Sequence, residues 1–340
     1  MSKRDLHFCV HGAGGLGSVI GGYLALAGFD TTLISRSAHV DAINTNGLNI
    51  SGTRGSHNVS DRLSAVTHPR AIDRDIDFYI LLTKVKDSAA ALSDAAILAP
   101  KIKCALTLQN GLGKEAHLID SFGADKVIGG SIIEGGTMTA PGAVHNHVTV
   151  PTTAYFGELD GTVTERTEEI AEAFTAAGLG AQAVKNIEHV IWEKAVQVGG
   201  ASIWSASTLL GNPSLDYWDG LAVEEGANHY VTIANELLAV YNSVGFEPQN
   251  FFAPLSKLKE IKSMDPAEAV KIMTGLGRER QVEGREPVRT SMHGDLLNGR
   301  RTEIDVIIKP IIDAAAQHRI PVPTLVGAYR VIKTIEAYLP

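Results

Sequence analysis

The first half of the chain alternates short apolar runs with longer stretches that have helical spacing. Runs of five or six apolar residues rich in β-branched or aromatic side chains predict buried strands, and the stretches between them are long enough for helices. This alternation favours an α/β domain built on a doubly wound parallel sheet. The predicted strands are residues 6–10, 31–35, 77–82, 103–107, 126–130 and 153–157.

From about residue 186 the pattern changes to long helical segments. The predicted helices are residues 187–206, 219–243, 264–276 and 324–338. One more apolar helix face lies within residues 302–318, where Pro310 should kink the helix or end it. A chain of 340 residues is long for one core. We therefore predict two domains, an α/β domain over residues 1–185 and an all-helical domain over residues 186–340.

A glycine motif follows the first predicted strand directly. Gly12, Gly14 and Gly17 form G-x-G-x-x-G at the start of a predicted helix. In a dinucleotide-binding unit the first glycine makes a tight turn, the second admits the pyrophosphate, and the third lets the helix pack on the strand. The backbone N–H groups of Gly15 and Leu16 would face the phosphates at the helix N-terminus. The motif predicts a Rossmann-like nucleotide site.

The end of the second predicted strand indicates which nucleotide binds. NAD-binding sites place an Asp or Glu about twenty residues after the glycines. Here Ser35 and Arg36 occupy that position. A guanidinium flanked by hydroxyl groups suits a 2′-phosphate, which favours NADP(H), although a loop arginine with no ligand is the alternative. Lys86 and Asn110 follow two later strands at their carboxyl ends and are further cofactor candidates.

Composition limits the binding partners and the cellular compartment that we expect for this protein. The net charge of −8 gives no reason to expect nucleic-acid or anionic-membrane binding. Residues 195–215 carry no charge but contain too many polar residues and glycines for a membrane span. Cys9 and Cys104 lie in apolar strands, and no secretory signal is visible, so we expect a cytoplasmic protein with buried thiols. His145 and His147 have no obvious carboxylate or thiolate partners in the sequence with which to form a metal site.

Several strings together resemble one family, the ketopantoate reductases (2-dehydropantoate 2-reductases). The matching strings are H-G-A-G-G-L-G at 11–17, S-R at 35–36, V-K at 85–86, L-Q-N-G-L-G at 108–113, W-E-K at 192–194 and S-M-H-G-D-L-L-N-G-R-R-T-E-I-D at 291–305. They occur in the family's order and span nearly the whole chain. The resemblance implies reduction of a 2-keto acid with NADPH by a Rossmann domain followed by a helical domain.

The resemblance also implies roles for individual residues. Lys194 would be the general acid that protonates the carbonyl oxygen, and Glu303 would position the lysine or the substrate. Ser291 would contact the keto-acid carboxylate, Asn110 would orient substrate or nicotinamide, and Lys86 would lie near both. Without the resemblance, Lys194 reads as a solvated helix lysine, Glu303 as a helix N-terminal acid, and Asn110 as a turn residue before glycine.

The chain departs from the family beside the predicted catalytic lysine. The family has asparagines four and eight residues after it, whereas this chain has Val198 and Ser202. In the family these asparagines make polar contacts to the substrate, including its hydroxyl, and Val198 can make none. Gly199 and Gly200 allow three interpretations. They break the helix, they leave room for a bulkier ligand, or they let another helix pack closely against this one. Trp204 would line such a pocket or lie in the core.

These observations lead to one main hypothesis and two alternatives. The main hypothesis is NADPH-dependent reduction of a 2-keto acid to a 2-hydroxy acid, with 2-dehydropantoate as the leading substrate. One alternative is a dehydrogenase for a different, bulkier 2-hydroxy acid. The other is a non-catalytic NADP(H)-binding sensor, which would not need Lys194, Glu303 and Ser291. An apolar helical domain is also compatible with a homodimer.

Overall fold

A computed structural model describes residues 5–148, 150–254 and 257–339, and the chain divides into two compact units. The first unit comprises Met1–Gln109 and Gly113–Ile191. The second unit comprises Asn110–Leu112 and Trp192–Pro340. The short segment Asn110–Leu112 therefore belongs with the helical part of the chain, although its neighbours on both sides belong to the first unit.

The first unit contains strands and helices in alternation. Its strands are β1 (His7–His11), β2 (Asp30–Ile34), β3 (Leu48–Gly52), β4 (His57–Val59), β5 (Leu63–Val66), β6 (Ile76–Leu81), β7 (Ile102–Thr107), β8 (Gly129–Ile132), β9 (Gly135–Ala140), β10 (Ala143–Val148), β11 (Ala154–Gly157) and β12 (Ala181–Ala183). Its helices are α1 (Gly15–Leu26), α2 (Ser37–Asn46), α3 (Ser88–Ala95), α4 (Ala116–Phe122) and α5 (Glu165–Ala176).

The central sheet of the first unit is parallel. Its five strands lie in the order β5-β2-β1-β6-β7, and all its neighbouring strands run parallel. The apolar run of β1 is completely buried, as is usual for a parallel strand covered on both faces. This arrangement confirms the predicted α/β class with a Rossmann-like sheet.

Two strands that we predicted for the parallel sheet lie elsewhere. The prediction at 153–157 corresponds to β11, and the prediction at 126–130 overlaps the start of β8; these two strands pair antiparallel in a separate sheet of order β12-β11-β8. Only Val127, just before β8, forms an isolated parallel bridge with Ala105 of β7. A further four-stranded sheet, β4-β3-β10-β9, was not predicted. Its strands carry sequences such as LNISG and AVHNHV, whose polar residues interrupt the apolar run that our prediction relied on.

The second unit is helical. Helix α6 (Ile187–Leu209) leads into it, and it continues with α7 (Tyr217–Leu221), α8 (Glu224–Ser243), α9 (Leu258–Ser263), α10 (Pro266–Glu279), α11 (Ser291–Leu297), α12 (Ile304–Ile307), α13 (Lys309–His318) and α14 (Pro323–Glu336). The predicted helix over 302–318 is divided between α12 and α13, and Pro310 lies in the first turn of α13, where a missing N–H is tolerated. No helix in the described parts of the chain is long and apolar enough to cross a membrane.

Two glycines let other helices approach α6 closely. A Cβ at Gly199 would lie 3.2 Å from side-chain atoms of Ile307 and Ile308, and one at Gly200 would lie 2.8 Å from Leu237 Cδ1. Helix α6 remains continuous through both glycines. Of the three predicted possibilities, close helix packing is therefore the one observed. Trp204 is fully buried in the core, and its indole N–H donates to the Gly226 carbonyl at 2.8 Å.

Candidate active site

The glycine-rich loop joins β1 to α1 in the first unit. Gly12 has a φ of +99°, and a Cβ there would lie 2.3 Å from the Thr83 nitrogen. A Cβ at Gly17 would lie 2.7 Å from the Gly12 carbonyl oxygen, so this glycine lets the helix approach the loop. At Gly14 a Cβ would meet nothing within 4 Å. Gly12 and Gly17 are therefore packed against neighbouring backbone, whereas Gly14 faces open space. Helix N–H groups there can bind an anion.

Gly15 and Leu16 form the first turn of α1. A Cβ at Gly15 would lie 2.1 Å from the Gly136 carbonyl oxygen, so only glycine fits against β9 there. The Leu16 side chain is half-buried and packs against the core of the first unit. A contribution of these two residues to ligand binding would therefore come from their backbone N–H groups.

The end of β2 carries the predicted phosphate-binding residues. Ser35 Oγ donates a hydrogen bond to the Ala13 carbonyl at 2.9 Å, which ties this strand end to the glycine-rich loop. Arg36 precedes α2 with extended backbone and is exposed. Its guanidinium makes no hydrogen bond or ion pair with any other described residue. It is accordingly available to an anionic ligand.

The buried side chain of Gln109, which lies in the predicted segment after β7, braces the ends of β6 and β7. The Gln109 side-chain amide donates to the Thr83 carbonyl at 2.6 Å and to Ser88 Oγ at 2.8 Å, and its oxygen accepts from Thr107 Oγ1 at 3.0 Å. Lys86 lies exposed in the short 3-10 turn Val85–Asp87 that follows β6. Gln109 thus holds together the ends of β6 and β7 within the first unit.

Lys194 and Asn110 meet in the second unit. Lys194 Nζ donates a hydrogen bond to Asn110 Oδ1 at 2.8 Å. The lysine is only 9% exposed, so it is not the solvated helix lysine that its sequence neighbourhood alone allowed. These two residues are 84 positions apart in the chain, and the contact joins two of the predicted site residues directly.

The segment around Glu303 lies against the same turn. Gly111, with a φ of +106°, packs so closely on α12 that a Cβ there would lie 2.8 Å from the Val306 carbonyl oxygen. The Val306 N–H donates to the Glu303 carbonyl at 3.0 Å. Glu303 directly precedes α12, as its helix-terminal interpretation requires. The backbone of Glu303 is therefore brought to the Asn110–Gly111 turn, and its catalytic role remains a prediction.

Glu193, next to Lys194, fixes a loop to α6, a role that we did not predict from the sequence. Its carboxylate is fully buried and accepts hydrogen bonds from the Gln249 N–H at 2.6 Å and the Phe251 N–H at 2.8 Å. It also accepts from Tyr241 Oη at 3.3 Å, and burial together with this carboxylate raises the pKa of Tyr241. A charged residue in an apolar helix was the available signal. The contacts fix the 249–251 loop to α6 beside Lys194.

The remaining substrate candidates lie on α6 beyond Lys194 or on a segment that contacts α6 there. Val198 is half-buried and Ser202 is 2% exposed. Ser291 is the exposed first residue of α11, and its neighbour Thr290 shares a 2.6 Å hydrogen bond with Ser205. Ser205 lies roughly 16 Å from Lys194 along the helix axis. These contacts place Ser291 toward the Ser205 end of this helix face.

A buried ion pair holds the segment that leads to Ser291. Asp216 is 2% exposed, accepts from the Val288 N–H at 2.9 Å and pairs with Arg285, whose Nη2 donates at 2.8 Å. Burial would raise the pKa of Asp216, but the ion pair and the N–H donors outweigh burial and lower it to about 2. The ionised carboxylate therefore stabilises the fold around α11.

This shift predicts a pH-dependent contribution to stability. Asp216→Asn should lose about 2 kcal/mol of unfolding free energy at neutral pH. The difference should be complete above the ordinary pKa of 3.8 and disappear as the pH falls through about 2, because the folded state then loses its carboxylate. All three tryptophans lie in the second unit, so urea unfolding followed by tryptophan fluorescence reports it. Asp313→Asn, in an exposed pair, is the control, and an equal loss at every pH would contradict the assignment.

The two cysteines are buried, and the paired histidines contact each other. Cys9 and Cys104 are both buried, as predicted, and burial raises the pKa of the Cys104 thiol to about 12. His145 and His147 stack on each other with ring centroids 5.9 Å apart. In the described part of the chain, no three His, Cys, Asp or Glu side chains lie together as a metal site would require.

Two sequence models of one family match the chain. "Ketopantoate reductase PanE/ApbA" matches residues 8–161, and "Ketopantoate reductase PanE/ApbA C terminal" matches residues 186–336. The chain belongs to the ketopantoate reductase family. This confirms the resemblance seen in the sequence strings and makes the protein an oxidoreductase that uses a nicotinamide dinucleotide and a small keto acid.

Individual relatives agree with the family assignment. The chain is 29% identical to the 2-dehydropantoate 2-reductase of Halobacterium salinarum over 325 residues, which cover 93% of this chain and 94% of the relative. It is also 29% identical to that of Pyrococcus horikoshii over 335 residues, 96% of each chain. The crystal structure of the Methylococcus capsulatus 2-dehydropantoate 2-reductase superposes with a TM-score of 0.76 at 27% identity, covering 98% of this chain and 97% of that one.

The fold is shared more widely than the sequence. A ternary structure of D-mandelate dehydrogenase with NADH and anilino(oxo)acetate has a TM-score of 0.71 at 20% identity, with 98% of this chain and 99% of that chain covered. The same two-part architecture therefore occurs in enzymes whose names differ in substrate.

Proposed function

We propose that this protein reduces a 2-keto acid to a 2-hydroxy acid with NADPH, and that 2-dehydropantoate is its leading substrate. The observation that carries the proposal is the hydrogen bond between the buried Lys194 ammonium and Asn110. Cofactor binding alone would not require Lys194, which lies in the second unit. An ammonium held in a fixed direction is suited to a carbonyl oxygen that gains negative charge during reduction.

The first unit fits NADPH. The open face at Gly14 and the N-terminus of α1 suit a pyrophosphate, because helix N–H groups there have no intrahelical partner. Arg36 would hold the 2′-phosphate through its paired N–H donors. When bound, the cofactor supplies the hydride that the carbonyl carbon accepts.

In the second unit, Lys194 would supply the proton. Asn110 accepts one N–H of the ammonium, and the substrate carbonyl oxygen would accept another and then take its proton as the hydroxyl forms. The lysine would finish the reaction neutral and regain its proton from solvent. Glu303 would position the lysine or the substrate, Ser291 would contact the substrate carboxylate, and Lys86 would draw the anion toward the site.

A second candidate function follows from Val198. Because valine replaces a polar contact of the family, a dehydrogenase for a bulkier 2-hydroxy acid is the alternative, and a D-mandelate dehydrogenase shares the fold. A sensor that binds NADP(H) without catalysis is the remaining alternative.

Steady-state oxidation of NADPH distinguishes the three functions. The assay compares 2-dehydropantoate, pyruvate and phenylglyoxylate, and we expect the highest kcat/KM for 2-dehydropantoate. A preference for phenylglyoxylate would favour the bulkier substrate class. NADPH binding without turnover of any keto acid would favour the sensor.

A further inference from the structure

One face of α14 contacts the segment 302–305, which contains Glu303. The face is formed by Tyr329, Lys333 and Glu336, which are spaced four and three residues apart. These side chains hydrogen-bond to residues on both sides of Glu303, namely Thr302 and Asp305. The position of Glu303 therefore depends on contacts with a helix that follows it by more than one turn of chain.

The contact between Glu336 and Thr302 is the buried part of this interface. Glu336 Oε1 accepts hydrogen bonds from the Thr302 N–H at 2.7 Å and from Thr302 Oγ1 at 2.6 Å, and the glutamate is 4% exposed. Lys333 and Asp305 form a 2.6 Å ion pair, but their side chains are 38% and 55% exposed, and solvated pairs contribute little to stability. Glu336 is therefore the residue on which the position of this segment mainly depends.

Thr302 transmits this constraint to the backbone around Glu303. Its hydroxyl donates to Glu336 and accepts a hydrogen bond from the Ile304 N–H at 3.2 Å. The Glu303 carbonyl in turn accepts from the Val306 N–H at 3.0 Å. The backbone is thus fixed before Glu303 by a buried carboxylate and after it by the first turn of α12.

The fixed segment also packs against the turn that carries Asn110. Gly111 leaves no room for a Cβ beside the Val306 carbonyl. Asn110 accepts the hydrogen bond from Lys194. A displacement of the segment would therefore move Glu303 relative to the predicted general acid, and a misplacement of about 1 Å can lower turnover about 100-fold.

We propose that Glu336 is a positioning residue for keto-acid reduction, which holds Glu303 in place through Thr302. The inference rests on the proposed reductase function and extends it to α14, a helix for which no role in the reaction was predicted. Glu336 acts on the segment and not on the substrate. Because its effect passes through Glu303, the loss caused by removing Glu336 should depend on whether the Glu303 carboxylate is present.

A double-mutant cycle with 2-dehydropantoate and NADPH tests this dependence. Glu336→Met keeps the side-chain length but removes both acceptor oxygens, so kcat/KM for the keto acid should fall about tenfold to 100-fold. Glu336→Gln keeps an oxygen that can accept both hydrogen bonds from Thr302, so it should stay within about threefold of wild type. In a Glu303→Gln background, Glu336→Met should cost less than about threefold more, because residues that act through one another are not additive.

Three further measurements separate positioning from loss of the fold. Tryptophan fluorescence at the assay temperature reports the folded state of the second unit, which contains all three tryptophans. Glu279→Met makes the same change at the exposed last residue of α10 and should leave kcat/KM unchanged. Thr302→Val removes only the hydroxyl that links Glu336 to the Ile304 N–H, should lower kcat/KM as well, and tests the proposal even if Glu336→Met does not fold.

The outcomes also separate this inference from the proposed function. Unchanged kcat/KM in folded Glu336→Met or Thr302→Val, or an equal loss from Glu336→Met in both backgrounds, would overturn the positioning role. A loss of activity that only parallels a loss of folded protein would overturn it too. Each of these results leaves the reductase function standing, whereas failure of the wild-type enzyme to reduce any keto acid would overturn that function itself.

Discussion

Replacing Lys194 with alanine should lower kcat for keto-acid reduction by about 10²–10⁴-fold. The variant loses both the proton donor and the positive charge beside the developing alkoxide. It also leaves Asn110 without the ammonium that it holds at 2.8 Å. The dissociation constant for NADPH should stay within about twofold, because the proposed cofactor contacts at Gly14 and Arg36 belong to the first unit. Stopped-flow turnover and NADPH fluorescence titration measure the two quantities separately.

A matched variant shows whether the effect is specific to this lysine. Lys271→Ala removes an exposed lysine from α10 in the same unit and should leave kcat unchanged. Near-normal turnover by Lys194→Ala would refute its assignment as general acid. A parallel loss of NADPH affinity would instead indicate that the substitution disturbs the fold.

The parts of the fold that the sequence predicted are those that depend on local pattern. The glycine motif is specified by neighbours in the chain, because Gly12 must turn and Gly17 must pack against it within a few residues. Four of the five strands of the parallel sheet were predicted from their mainly apolar runs, whereas β5, with the short sequence LSAV, was missed. The β4-β3-β10-β9 sheet was missed, since its strands mix polar and apolar residues and its two local pairs are joined only by the remote pairing of β3 with β10.

The residues that hold the candidate site in place could not be predicted, because the groups to which they hydrogen-bond are remote in sequence. Glu193 binds backbone groups 56 and 58 positions away, and Asp216 binds Arg285 at a separation of 69. The only local signal for Glu193 was a charged residue in an apolar helix, and that signal does not reveal which distant groups it binds. Lys194 was predicted from its resemblance to a family string, yet its burial became visible only with the packed helices around it.

Replacing Arg36 with aspartate should change the preference of the enzyme from NADPH toward NADH. The guanidinium is exposed and has no partner in the described part of the chain, so its substitution disturbs no internal contact. A carboxylate there would repel the 2′-phosphate of NADPH and could accept hydrogen bonds from the ribose hydroxyls of NADH. Hydrogen bonds to charged groups contribute about 1.5–3 kcal/mol, so kcat/KM for NADPH should fall about 10–100-fold.

Steady-state kinetics with both cofactors at a fixed keto-acid concentration measure this change. The loss should appear in KM for NADPH, while kcat at saturating cofactor should stay within about twofold, because Arg36 does not belong to the proton-donating unit. Arg330→Asp makes the same charge change on the exposed face of α14 and controls for the loss of a positive charge. An unchanged NADPH:NADH ratio in Arg36→Asp would refute 2′-phosphate recognition by this residue, and with it the basis for preferring NADP(H) over NAD(H).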